Sequence, residues 1–135
     1  MKPKLLLRIA AVLMLLHTVG HSMGALTWTK APNDKVAAVI SGMQTEHFMF
    51  MGKSISLGEF FSGYGICLIL VLAFATVLLW LLSINPVKSM LIALGIFLIA
   101  FGVAEYIYFF PMPAIFSAVA GCCTLFSVRQ NKVNA

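Results

Sequence analysis

His17 and His21 stand four residues apart, so on a helix they share one face. His-x-x-x-His is a competent spacing for two metal ligands. The plainer reading is a pair of interfacial histidines bonded to water or to a nearby carbonyl. Glu105 sits in Val103-Ala104-Glu105-Tyr106-Ile107, with no basic residue beside it. It reads as a partner for His17 or His21, against the alternative of a carboxyl that snorkels to an interface or stays protonated. Glu59, Glu46 and His47 are further candidates, and Tyr64 or Tyr106 could supply a hydrogen bond. Each has a plain explanation: Glu59 suits a helix N-terminus, Glu46 could be solvated, and His47 could pack against Met43.

The rest of the chain says where such groups must lie. Its 135 residues argue for one domain, 1–135. They are 61% hydrophobic and only 10% charged, with a mean hydropathy of +1.03. That leaves too little polar surface to cover a soluble fold of this size. A soluble enzyme, a disordered chain and a nucleic-acid binder are excluded. The expected fold class is all-α: a polytopic membrane protein whose partner is the lipid bilayer. Long apolar runs require helices to satisfy their backbone, which disfavours a strand-built membrane fold.

Four runs approach the roughly 20 apolar residues a span needs. They cover about 5–23, 56–82, 89–109 and 114–128. Asn85-Pro86 ends the second, and Pro111-Met112-Pro113 breaks the third and leaves the fourth short. Lys2, Lys4 and Arg8, the apolar core behind them, and Ser22 and Gly24 also resemble a signal peptide; the run is kept here as a helix. Between the first two runs, Pro32-Asn33-Asp34 is a helix start. Val36, Ile40, Met43, His47 and Phe50 then predict an amphipathic helix over about 34–51, lying on the membrane surface.

Charge orients the bundle. Lys2, Lys4, Arg8, Lys88, Arg129 and Lys132 fall on the side of both termini, with no acid; Lys30, Lys35 and Lys53 fall opposite, offset by Asp34, Glu46 and Glu59. Basic residues collect on the cytoplasmic side, which places both termini there. At about 1.5 Å of rise per residue, all three histidines and Glu46, Glu59 and Glu105 then share one level near the outer boundary of the hydrocarbon. An intramembrane charge costs about 2.5–3.5 kcal/mol on insertion scales, so such groups pair or line a cavity. Gly95 and Gly102 form a close-packing stripe, as do Ser117, Gly121 and Thr124. Cys67, Cys122 and Cys123 lie in apolar runs and imply no disulfide framework.

Leu15-Leu16-His17-Thr18-Val19-Gly20-His21, followed by Trp28, resembles the His-Thr-x-Gly-His opening of a group of small bacterial four-helix membrane proteins without assigned function. Met51-Gly52-Lys53-Ser54, followed by Glu59-Phe60-Phe61-x-Gly63-Tyr64-Gly65, resembles that group's second motif. The resemblance covers mainly the first half of the chain and implies the cytoplasmic (inner) membrane of a bacterium. More distantly, the architecture is similar to DoxX-like four-helix proteins, linked to quinone-dependent redox. It is similar too to sterol-isomerase-like bundles, which use membrane-embedded His and Glu for proton transfer.

Three classes of function follow. In the first, His17, His21, Glu105 and Tyr64 carry proton transfer on an apolar molecule such as a lipid, a sterol-like compound or a quinone. Glu59, Glu46, His47 and Tyr106 would contribute to binding it. In the second, His17 and His21 with His47 and a carboxylate from Glu46, Glu59 or Glu105 hold a single transition metal; a haem would need His47 or a histidine from another subunit. In the third, the chain is a non-catalytic subunit of a homo-oligomer or larger membrane complex. The first stands slightly above the second.

Overall fold

A computed structural model describes residues 2–131. Lys132, counted above among the basic residues, lies outside them. The order is α1 (Pro3–Thr27), α2 (Asp34–Thr45), β1 (His47–Phe50), β2 (Lys53–Ser56), α3 (Leu57–Ile84), α4 (Lys88–Tyr108) and α5 (Pro111–Asn131). Four of the helices, α1, α3, α4 and α5, are long and apolar enough to cross a membrane.

The chain divides into two compact units. The first takes α1 through Thr18, α3 from Val71, and all of α4 and α5. Its core is aliphatic and close-spaced: Leu7, Ala10 and Met14 follow one stripe of α1, with Leu72 and Leu79 from α3 and Leu91 and Leu98 from α4. Meanwhile Leu15, Val77, Ile96 and Phe126 face outward at about half exposure. An apolar exterior around an apolar core is compatible with a membrane helical bundle.

Within this unit α4 and α5 form a tight antiparallel hairpin. A Cβ added at Gly121 would lie 2.9 Å from the Gly95 carbonyl oxygen, and one at Gly102 would lie 3.0 Å from that of Ala114. The two glycine stripes expected to pack closely therefore pack on each other. The fourth span is longer than its prolines implied. Pro111 and Pro113 open α5 instead of preceding it, because the first turn of a helix needs no N–H from them. Only Phe109 and Phe110 separate the two helices.

The second unit, Val19–Leu70, holds the end of α1, α2, the two strands and the start of α3. Here the expected helix over 34–51 is corrected. It begins as read, with the Asn33 side chain accepting from Val36 N–H at 3.0 Å, but stops at Thr45. His47–Phe50 instead pairs antiparallel with Lys53–Ser56, so the fold is helical with one small hairpin. The cause is the turn: Met51 (φ 49°) and Gly52 (φ 83°) both take positive φ, the two-residue geometry that matches strand twist. Alternation then puts Phe48 and Phe50 on one face, with ring centroids 6.1 and 5.4 Å from that of Phe60.

The hairpin feeds α3 through a reciprocal cap. Ser56 Oγ accepts from Glu59 N–H at 3.1 Å, and Ser56 N–H donates to Glu59 Oε2 at 2.8 Å. This satisfies two of the orphan donors at the helix start. Ser56→Ala is expected to cost about 1 kcal/mol, read as an earlier midpoint in a detergent unfolding titration. An unchanged midpoint would show that the cap does not hold this junction.

Candidate functional site

His17 and Glu105 meet. The short Phe109-Phe110 connection sets Glu105, in the last turn of α4, opposite Ser117 in the second turn of α5. The buried stripe of α1 ends at His17 and delivers its ring to the same place. His17 Nε2 lies 3.0 Å from Glu105 Oε1. Ser117 Oγ lies 2.7 Å from Glu105 Oε2 and 3.2 Å from His17 Nδ1. His17 and Glu105 are each 4% exposed and Ser117 is fully buried, with Phe101 and Phe116 flanking the imidazole at 6.3 and 6.4 Å.

The hydrogen count of this ring is informative. Ser117 has one hydroxyl hydrogen, and it goes to Glu105 Oε2. The contact with Nδ1 is then a bond that Nδ1–H donates to Oγ. Three contacts thus take three hydrogens: the hydroxyl's, the one on Nδ1, and one between Nε2 and Oε1. The last can rest on nitrogen, giving imidazolium and carboxylate, or on oxygen, giving two neutral groups. Every bond survives either way. Without it the cycle cannot close, because Ser117 would have to serve two acceptors with one hydrogen. The arrangement can therefore close around one proton shared by Nε2 and Oε1, and no buried side-chain polar atom among the described residues is left unpartnered.

The other candidates have other engagements. His21 belongs to the second unit, where its Nε2 lies 3.2 Å from the Gly65 carbonyl oxygen. His47 is exposed, with Nδ1 2.9 Å from the Thr45 carbonyl oxygen. Glu59 serves the cap, and Glu46 is exposed at the end of α2. Tyr64 is 71% exposed and stacks on Phe60 at 6.2 Å. Tyr106, next along α4 from Glu105, turns outward at 69% exposure. No group of three or more His, Cys, Asp or Glu side chains among the described residues is placed to hold a metal ion.

Ser117 is the member of this cluster that the pattern of residue types missed. A serine among Ala, Gly and Thr on an apolar helix reads as packing. The signal lay in the polar inventory: a buried carboxylate and a buried imidazole together need a third partner, and Ser117 mirrors Glu105 across the Pro111 turn.

Comparison with protein-family models, curated proteins and solved structures gives no match for this chain, so its chemistry is argued from the geometry alone.

Proposed function

We propose that this chain is a small multi-pass protein of a bacterial inner membrane, with both termini in the cytoplasm. We further propose that His17, Glu105 and Ser117 form a proton-transfer centre for an apolar molecule of the lipid, sterol-like or quinone class. The observation that carries this reading is the 3.0 Å contact between His17 Nε2 and Glu105 Oε1, two buried groups that can share a proton.

The chemistry is a two-step relay. The longest contact of the ring is His17 Nδ1 to Ser117 Oγ, at 3.2 Å, and a ligand oxygen replacing Ser117 there would receive the Nδ1 proton. Nε2 would take the proton from Glu105 in the same event, leaving a carboxylate that Ser117 continues to hold. His17 acts as the donor to the ligand, Glu105 as the reservoir, and Ser117 as the positioning residue for the carboxyl.

A second reading has its own support. The ring is closed and fully satisfied, and its residues line neither the hollow at Lys2, Lys4 and Arg8 nor the one between Val12 and Trp80. A polar clamp joining α1, α4 and α5 in a non-catalytic subunit would look the same. Glu105→Gln separates the two readings. The amide N–H can donate to Nε2 and its oxygen can accept from Ser117, so all three bonds persist without a movable proton. The assay is mass spectrometry of apolar molecules that co-purify in mild detergent. Proton-linked binding predicts a molecule enriched several-fold with the native chain and lost in Glu105→Gln at equal stability. No difference between the two proteins would leave the clamp.

A further inference from the structure

We propose that the first unit carries a binding site for an anionic phospholipid. Lys2, Lys4 and Arg8 would take the phosphate, and one acyl chain would lie in the groove between α1 and α3. The site is separate from the His17 ring and does not depend on its reading.

Two neighbouring hollows carry the argument. One is lined by Lys2, Lys4, Leu5 and Arg8. The other is lined by Ala11, Val12, Leu15, Thr76, Val77 and Trp80. Leu5, Arg8, Val12 and Leu15 follow one another at spacings of three and four, so they form a single stripe of α1. That stripe runs from the first hollow into the second, and from Arg8 to Leu15 it covers about 10 Å. Its apolar members are about half exposed. The Arg8 guanidinium sits 5.2 Å from the centre of the Trp80 ring, so one residue of the basic cluster touches the wall of the apolar groove.

The charge is unanswered inside the protein. Among the described residues no carboxylate pairs with Lys2, Lys4 or Arg8, and Glu105, the one described acid of this unit, is bonded to His17 and Ser117. A guanidinium that lies over an indole ring and has no carboxylate partner keeps N–H groups for a phosphate. The apolar wall selects the source of that phosphate. The hollow exposes no polar surface, and the Thr76 hydroxyl in its wall donates to the Leu72 carbonyl. A free anion would use the cluster and leave the groove empty; a phospholipid uses both.

Trp80 is also the reporter. The chain has two tryptophans, and Trp28→Phe leaves Trp80 alone. Its fluorescence would be followed in vesicles of phosphatidylcholine and phosphatidylglycerol, with bromine on the acyl chains of one lipid at a time. The expected result is roughly a five-fold preference for brominated phosphatidylglycerol, the factor one surface cation supplies. In Lys2→Gln/Lys4→Gln/Arg8→Gln the ratio should fall to about one. Val12→Phe keeps every charge but fills the groove, and it too should abolish the preference, which diffuse attraction to a basic surface would not explain. All these positions are exposed, and unchanged helicity by circular dichroism checks the fold. Equal quenching by the two lipids, or a preference that survives Val12→Phe, would overturn the site. So would its loss to inorganic phosphate at matched ionic strength, which would assign the cluster to a free anion.

Discussion

Glu105→Ala is expected to destabilise the protein by about 3 kcal/mol, and Glu105→Gln by less than about 1 kcal/mol. Alanine removes both carboxylate oxygens. His17 Nε2 and the Ser117 hydroxyl are then left without their partners in a site where each was nearly or wholly buried. Breaking a buried polar pair from one side costs about 3–5 kcal/mol in water-soluble proteins. Interhelical hydrogen bonds in a bilayer average nearer 0.6 kcal/mol, because the unfolded helices also find partners there. Two bonds and a vacated side-chain volume are lost together here, which places the sum at the low end of the first range. Glutamine keeps the shape and all three bonds. The double-mutant cycle of His17→Ala and Glu105→Ala sharpens this: once one partner has gone, losing the other adds little, so a coupling of about 1–2 kcal/mol is expected. Reversible unfolding in mixed micelles reads all five proteins, the four of the cycle and Glu105→Gln. Additive losses, or a Glu105→Gln protein as weak as Glu105→Ala, would show that the hydrogen count given for the ring is wrong.

That site was half legible in the amino-acid sequence. Counting rise along two spans that run in the same direction brings His17 and Glu105 to one depth, and the lack of a cation near Glu105 leaves histidine as its partner. The same arithmetic treats depth as proximity, and there it overreaches. His21 shares the depth and, nominally, the face of His17. Yet four residues advance a helix by 400°, not 360°, and His21 finds a carbonyl in the second unit instead. Glu59 shares the depth as well, but a serine three residues before it offers a nearer bond.

The four spans were legible because their hydropathy is long-range and redundant. The hairpin was not. His47-Phe48-Met49-Phe50 is too apolar to show a period of two, and its turn begins with Met51, a residue type that rarely accepts positive φ. The prolines of α5 misled for the opposite reason. Proline breaks a helix only where its missing N–H is needed, and whether Pro111 follows one helix or opens the next depends on where α4 ends.

The hairpin of α4 and α5 holds Glu105 to Ser117, so a defect in its seam should reach the ring. Gly102 lies one turn before Glu105, and the backbone it meets belongs to Ala114 and Ala118, on either side of Ser117. An added Cβ would stand 3.0 Å from the Ala114 oxygen and 3.0 Å from the Ala118 nitrogen. Neither is the end of a flexible side chain, so the helices must part. Overpacking of this kind costs about 1–3 kcal/mol, against about 1 kcal/mol gained when glycine becomes alanine in a helix. Gly102→Ala is therefore expected to lose up to about 2 kcal/mol, and Gly102→Leu about 3 kcal/mol. Gly95→Ala meets the Leu125 side chain, with Cγ and Cδ2 both at 2.7 Å, and the Gly121 carbonyl at 3.3 Å; a side chain can turn where backbone cannot, so it should cost less than Gly102→Leu. The link to the site gives the stricter test. If parting the helices stretches the 2.7 Å Ser117–Glu105 bond, Ser117→Ala will cost measurably less in the Gly102→Leu background than in the native one, while in Gly95→Ala its cost will not change. Equal costs of Ser117→Ala in all three backgrounds would mean that the seam and the ring are independent.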